Sequence, residues 1–284
     1  MSRYRPPHRY SGGSNFIDRL RNYQRRIGPV ATGVIILIVA ILIFGLVRAI
    51  VNADLGRATA IVIGRGLGLV LGFTLHEWAH AFSAYRLGGY AALPDRGRLS
   101  LDPRVHIDAI GVVLALVAGF GWAKPVPVNP AAFYPNERRD MLTVAFAGPF
   151  MNLLIAFVVA IMLRIMLAGG VIEEIFPGSN IVMGTNDVYN FLYRIISTVV
   201  FFNILLFLFN LIPLFPLDGW RVLLGILSPY QAAELRRHEQ TNMIILYLLI
   251  VLSLVTTSFS PIFAILGPPL DALFELFTGF RYFA

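Results

Sequence analysis

The chain of 284 residues contains no cysteine. Disulfide bonds, thiolate metal ligands and a thiol nucleophile are therefore excluded, and any bound metal must be held by histidine and carboxylate side chains. Charged residues are also scarce, at 14% of the chain compared with about 25% in an ordinary globular domain. No stretch is long and polar enough to form a second, water-soluble domain.

The chain consists mainly of long apolar runs, and hydrophobic residues make up 57% of the sequence. This composition predicts an all-α polytopic membrane protein with about five to six transmembrane helices. A re-entrant segment and a short β-hairpin near the cytoplasmic face are also expected. Residues 1–28 are predicted to be a basic, disordered arm, and residues 29–284 a single membrane-embedded domain with its core at 57–227.

The boundaries of the segments follow from the apolar runs and from the prolines and glycines that interrupt them. Spans are predicted over residues 28–51, 57–87, 141–167, 188–213 and 242–259. The run 261–280 is apolar but is expected to be broken by Pro268-Pro269, and therefore to lie on the membrane or dip into it. Residues 110–122 are too short for an upright span and are predicted to be re-entrant. The alternation at 98–102 predicts a short strand, and three prolines within 124–130 predict an extended loop.

The net charge of +7 lies at the ends of the apolar runs, which indicates membrane topology and not nucleic-acid binding. Seven arginines precede the first predicted span, seven lysines or arginines lie between Arg86 and Arg139, and three lie between Arg221 and Arg237. The acidic loop 169–187 has none. The positive-inside rule therefore predicts a cytoplasmic N-terminus, in a multi-pass protein that we expect in a prokaryotic cell membrane.

An HExxH sequence lies near the end of the second predicted span, at His76-Glu77-Trp78-Ala79-His80. On a helix the two histidines share a face, so both imidazoles can bind one divalent metal, and Glu77 can act as a general base. The simpler interpretation is a pair of buried structural histidines with a glutamate that snorkels. The apolar surroundings weigh against it, because ionisable groups at membrane depth are costly and usually mark function.

A catalytic zinc needs a third protein ligand, and Asp218 is the best candidate. Both His80 and Asp218 lie within six residues of an arginine in a predicted cytoplasmic region, so the topology brings them to the same depth. The competing interpretation is that Asp218 caps the helix that begins near Trp220. His106 and Asp108 form a weaker metal candidate, because a loop histidine beside an aspartate is more often a surface hydrogen-bonding pair.

Four motifs together resemble the site-2 protease family of intramembrane zinc metallopeptidases, peptidase family M50. Within residues 57–227, they are the HExxH sequence, residues 121–130 (GWAKPVPVNP), Ala147-Gly148-Pro149 with Asn152, and Asn210…Pro213…Leu217-Asp218-Gly219. The resemblance implies that one zinc ion is bound by His76, His80 and Asp218. It further implies that Glu77 is the general base and that Asn152 orients the substrate or stabilises the oxyanion.

The function implied by the resemblance is hydrolysis of peptide bonds in or near transmembrane helices of membrane-protein substrates, close to the cytoplasmic face. Transmembrane proteins and the lipid bilayer are then the expected partners, without nucleic acid. A substrate helix must unwind before attack, and pairing with the strand at 98–102 is expected to hold it. Many relatives carry a PDZ domain or a CBS pair. We expect a minimal form with neither, because the loop 169–187 and the tail are short.

Two other functions are compatible with the sequence. A transporter or channel could use the intramembrane histidine, glutamate and aspartate side chains as an ion path. The corresponding halves typical of transporters are not evident, since the sequence has no internal repeat. A metal-binding scaffold without catalysis is a third interpretation, and the presence of Glu77 disfavours it.

Overall fold

The computed structural model describes residues 55–108, 111–112, 121–175, 179–255 and 260–282. The basic arm predicted at 1–28 and the span predicted at 28–51 lie outside the described residues. Most of the predicted re-entrant segment 110–122 also lies outside them.

The described residues are mainly helical. In chain order the helices are α1 (Leu55–Ala92), α2 (Pro103–His106), α3 (Glu137–Ala168), α4 (Asp187–Asn210), α5 (Asp218–Ile226), α6 (Pro229–Arg236), α7 (Glu239–Val255) and α8 (Pro261–Thr278). Within the described part of the chain, α1, α3, α4 and α8 are long and apolar enough to cross a membrane. These helices support a mostly α-helical, multi-pass membrane protein.

Close packing of α1 against α4 depends on glycines along α1. A Cβ atom at Gly64 would lie 2.7 Å from the Thr198 Cβ atom, and one at Gly72 would lie 2.7 Å from the Leu206 Cδ1 atom. A larger residue at either position would push the two helices apart. Glycine therefore allows the first half of α1 to pack closely against α4.

The run 261–280 forms one continuous helix, so the expectation that Pro268-Pro269 would break it is wrong. Ser260 caps the start of α8, and its side chain accepts a hydrogen bond from the Phe263 N–H. The helix tolerates two prolines because Leu270 and Phe274 are buried in a core shared with α3 and α4. Burial of this face outweighs the loss of two backbone hydrogen bonds.

The strand predicted at 98–102 is also wrong. Arg96–Leu99 forms a 3₁₀ turn, and Asp102 caps the short helix α2 by accepting a hydrogen bond from the Arg104 N–H. Aspartate followed by proline favours such a cap over an extended strand. Pairing of substrate with a strand at this position therefore has no structural basis.

The two-stranded antiparallel sheet lies instead in the acidic loop between α3 and α4. It is formed by β1 (Ile172–Glu174) and β2 (Val182–Gly184), with Glu173 opposite Met183. Ile172 and Val182 are buried against the same core as α8, which anchors the hairpin. This connection is too short to hold an inserted domain.

The proline-rich segment 124–129 forms no helix or strand, as predicted for a loop, but Pro130, the last residue of the predicted loop, begins a 3₁₀ turn at Pro130–Phe133. An isolated antiparallel bridge pairs Ile107 with Ala123 at its start, and the Lys124 N–H donates to the His106 carbonyl oxygen at 2.7 Å. At its other end the Asn129 N–H donates to the Ala92 carbonyl oxygen at 2.9 Å. The segment is therefore fixed at both ends beside α1.

Candidate metal centre

The two histidines of the HExxH sequence point to the same side of α1. Their Nε2 atoms lie 3.0 Å apart, and both side chains are buried. The spacing of four residues produces this geometry directly, because residues one helical turn apart lie above one another. The pairing predicted for His76 and His80 therefore follows from the helix alone.

Asp218 joins them from a distant part of the chain. Its Oδ2 atom lies 3.1 Å from the Nε2 atom of His76 and 3.2 Å from that of His80. Leu217, not Asp218, is the N-cap residue of α5, and the cap has no side-chain hydrogen bond. The structure therefore does not support the interpretation of Asp218 as a helix cap.

The position of α5 depends on contacts at both of its ends. Gly219 packs against the backbone at Leu211 so closely that a Cβ atom there would clash with it. At the other end, Arg138 of α3 donates from Nη2 to the carbonyl oxygens of Leu224 and Gly225, at 3.2 Å and 3.3 Å. These contacts hold the first residue of α5 beside α1.

The hydrogen bonds of His76 and His80 fix the ring tautomers so that the Nε2 lone pairs point toward the centre of the cluster formed with Asp218. The Nδ1 atom of His80 lies 2.7 Å from the Val144 carbonyl oxygen, which can only accept, so Nδ1 carries the proton. The Nδ1 atom of His76 lies 2.6 Å from the Oδ1 atom of Asn152 and likewise donates. Two Nε2 lone pairs and the Asp218 carboxylate thus converge, and a bound cation stabilises such an arrangement.

The distances fit zinc. A tetrahedral zinc ion about 2.0–2.1 Å from each ligand requires ligand atoms roughly 3.3 Å apart, close to the observed 3.0–3.2 Å. Gly148 of α3 leaves room next to the cluster, since a Cβ atom there would lie 2.7 Å from the His76 Nε2 atom and closer still to that of His80. Two imidazoles and one carboxylate are the ligand set of a catalytic zinc site.

Glu77 lies beside this cluster without belonging to it. Its Oε2 atom accepts a hydrogen bond of 3.1 Å from the Val126 N–H, in the proline-rich segment 124–129. The side chain is buried. The prolines that flank Val126 have no N–H, so this residue supplies the donor that holds the carboxylate. The contact was not predicted, because no local pattern links positions 77 and 126.

Asn152 lies behind the cluster and supports His76. Both N–H groups of its amide are engaged, with the Gly72 carbonyl oxygen at 3.2 Å and the Asn203 Oδ1 atom at 3.1 Å. This geometry supports a role in orienting His76, and the predicted role at the oxyanion stays a prediction. Asn203 was missed by the sequence analysis, although an asparagine within an apolar run was a signal that could have found it.

His106 and Asp108 lie elsewhere. His106 is fully buried, and its Nε2 atom donates to the Ser100 carbonyl oxygen at 2.7 Å. The Oδ1 atom of Asp108 accepts from the Gly111 N–H. Among the described residues, His76, His80 and Asp218 are the one group of three or more ligand side chains that could hold a metal ion.

The fold is that of a helical membrane protein, and the site combines an HExxH helix with a buried aspartate. Together they define the class of membrane-embedded metallopeptidases. Comparison with known proteins agrees. The chain belongs to peptidase family M50, whose family profile matches residues 55–255. The predicted resemblance to the site-2 protease family is thereby confirmed.

Individual relatives agree with this membership. The chain is 36% identical over 211 residues to the Bacillus subtilis protein named "Putative zinc metalloprotease YwhC", covering 74% of this chain and 89% of the relative. It is 25% identical over 187 residues to "Putative zinc metalloprotease Rip2" of Mycobacterium tuberculosis, covering 64% of each. For Rip2 of Mycolicibacterium smegmatis the identity is 24%, covering 65% of each. No solved structure matches the chain.

Proposed function

We propose that this chain is an intramembrane zinc metalloprotease that hydrolyses peptide bonds in or near transmembrane helices of membrane proteins, close to the cytoplasmic face. One observation carries the proposal. His76, Glu77 and His80 lie on α1, which is apolar enough to cross a membrane, and the side chain of Asp218, at the start of α5, converges with the two histidines. Site-2 proteases, the family that this chain resembles, share this combination of motifs.

The contacts of each side chain indicate its chemical role. Zinc, when bound by His76, His80 and Asp218, would supply a Lewis acid that polarises the peptide carbonyl and acidifies water. Glu77 accepts a proton from the attacking water and donates it to the leaving nitrogen as the C–N bond breaks. The Val126 N–H holds Oε2 of Glu77, which orients the carboxylate for both transfers.

The depth of the site supports cleavage near one face of the membrane. His76 follows Gly56, the first residue of the candidate span, by 20 residues. That separation is roughly 30 Å along a helix, and the hydrocarbon core is about 30 Å thick. The basic residues between Arg86 and Arg139 follow soon after the site, so the positive-inside rule makes this face cytoplasmic.

Proteolysis in detergent tests the proposed function. The purified chain is expected to cleave a single-span membrane protein, to lose activity with a zinc chelator and to recover it when zinc is restored. One tightly bound zinc per chain, measured by elemental analysis, is the expected stoichiometry. A protein that binds no zinc and instead carries ions across liposome membranes would be a transporter, and the proposal would be wrong.

The position of the cut is a second expectation. A substrate helix should be cut in its cytoplasmic half, where few hydrogen-bonded turns must open to expose the peptide bond. Replacing a helix-breaking glycine near the cut with leucine should slow cleavage about fivefold, because glycine lowers the cost of opening by about 1 kcal/mol. The same replacement in the external half is the control and should leave the rate unchanged. Mass spectrometry locates the cut, and cuts clustered in the external half would contradict the proposed depth.

A further inference from the structure

A chain of buried amide side chains connects α4 to the metal centre. Asn203 of α4 and Asn152 of α3 have no exposed surface. The Oδ1 atom of Asn203 accepts from the Nδ2 atom of Asn152 at 3.1 Å, and the Oδ1 atom of Asn152 lies 2.6 Å from the His76 Nδ1 atom. Three helices thus contribute to a single hydrogen-bonded path that ends on a proposed zinc ligand.

The orientation of the amide groups, and so the direction of donation along the path, is set by the contacts of Asn203. The Nδ2 atom of Asn203 faces the Val199 carbonyl oxygen at 2.9 Å and the Gly68 carbonyl oxygen at 3.5 Å. Carbonyl oxygens accept hydrogen bonds but cannot donate them, so the NH₂ group of Asn203 must point toward them. The Oδ1 atom of Asn203 is then left to accept, and it does so from Asn152.

The orientation of Asn203 in turn fixes the orientation of Asn152 and the position of the ring proton on His76. Because the NH₂ group of Asn152 donates to Asn203 and to the Gly72 carbonyl oxygen, its Oδ1 atom faces His76. An amide oxygen accepts only, so the His76 Nδ1 atom must carry the ring proton. The Nε2 lone pair of His76 is therefore directed toward Asp218 and His80, as metal binding requires.

We propose that Asn203 is a positioning residue that fixes the orientation and tautomer of His76 through Asn152. The inference rests on the proposed zinc site but not on the identity of the substrate. Rotation of the Asn203 amide would place its oxygen against two carbonyl oxygens, and rotation of the Asn152 amide would place its oxygen against the Gly72 carbonyl oxygen and the Asn203 Oδ1 atom. Buried polar groups without partners are costly, so the path holds one arrangement.

The space around the amides is consistent with this role. A Cβ atom at Gly72 would lie 3.0 Å from the Asn203 Oδ1 atom and 3.3 Å from the Asn152 Nδ2 atom. Glycine at this position lets both amides meet next to α1. The site therefore depends on a small residue one turn before His76 as well as on the amides themselves.

Zinc affinity of an Asn203→Leu variant tests the inference. Leucine has the same branching and the same number of side-chain heavy atoms but cannot accept from Asn152, so the Gly72 carbonyl oxygen is the one acceptor left for the Asn152 NH₂ group among its described contacts. Partners of metal-binding histidines typically change metal affinity by about 10–100-fold, and this position acts one step further away. We expect the apparent zinc dissociation constant, measured by chelator competition, to rise about tenfold. Asn203→Ala is expected to give the same direction of change if leucine prevents folding.

Two further variants separate positioning from general stability. Ser197→Ala removes a hydroxyl group from a buried side chain of α4, which among the described residues donates to the Arg194 carbonyl oxygen, and should leave zinc affinity unchanged. In a background of Asn152→Ala, the Asn203→Leu change should have no further effect on zinc affinity, because its path to His76 is already interrupted.

The outcomes distinguish the two proposals. Equal losses of zinc affinity in the presence and absence of Asn152, no loss in either, or an equal loss for Ser197→Ala would overturn the role of Asn203. These measurements do not depend on cleavage. A wild-type chain that binds zinc but cleaves no membrane protein would contradict the proposed function alone.

Discussion

A Glu77→Gln variant is expected to lose nearly all peptidase activity while it retains zinc. Glutamine keeps the volume of the side chain and can accept the hydrogen bond from the Val126 N–H, but it cannot take up the proton of the attacking water. Removal of a general base typically lowers the rate by about 10²- to 10⁴-fold. The measurement is cleavage of a single-span substrate, together with the zinc content of the purified variant.

His76→Ala and Asp218→Ala are the comparison for this experiment. Each removes an atom within 3.2 Å of the other proposed ligands, so both variants should lose zinc as well as activity. Zinc loss by Glu77→Gln as complete as that of His76→Ala would contradict the division between base and ligands. Full zinc content in Asp218→Ala would remove Asp218 from the ligand set.

A Gly148→Ala variant is expected to have almost as large an effect, although it adds only one methyl group. The new Cβ atom would lie 2.7 Å from the His76 Nε2 atom and closer still to that of His80, next to the position that a zinc ion held by these atoms would take. Neither imidazole can retreat easily, because Val144 and Asn152 hold their Nδ1 atoms. We expect zinc affinity to fall by at least about 100-fold, measured by chelator competition.

Gly267→Ala is the matched control. Gly267 also lies within an apolar helix, but a Cβ atom there meets no other described atom within 4 Å apart from its chain neighbours and the backbone of its own helix. This variant should keep zinc and activity, because the added methyl group meets no neighbouring helix. Unchanged zinc affinity in Gly148→Ala would show that the metal does not lie next to α3, and the geometry of the site would need revision.

Local pattern was sufficient to predict the part of the site that lies on one helix. His76, Glu77 and His80 belong to five consecutive residues, and a spacing of four residues places both imidazoles on one face. Asp218 is distant in sequence, yet membrane topology restricted it to one depth, which helped to select it. In a membrane protein, the positive-inside rule thus predicts the depth of a residue in the bilayer, and no comparable constraint exists for a soluble protein.

Patterns of alternation and of proline were less reliable where other contacts competed. The alternation at 98–102 predicted a strand, but aspartate caps formed turns instead. Pro268-Pro269 predicted a break in the last apolar run, but burial of Leu270 and Phe274 preserved the helix. In both places the outcome depended on interactions that a periodic pattern does not contain.

Composition and short motifs therefore predicted the class of protein, and they proposed the ligand residues and the general base, because each depends on residue type and on spacing along the chain. The packing of α1 against α3 and α4 decided which groups support those residues. It brought Gly148 to the two imidazoles and Asn203 to Asn152, and the proline-rich segment 124–129 placed Val126 against Glu77. These contacts join residues 49 or more positions apart. Their geometry depends on close approach of helices, which only the folded chain provides.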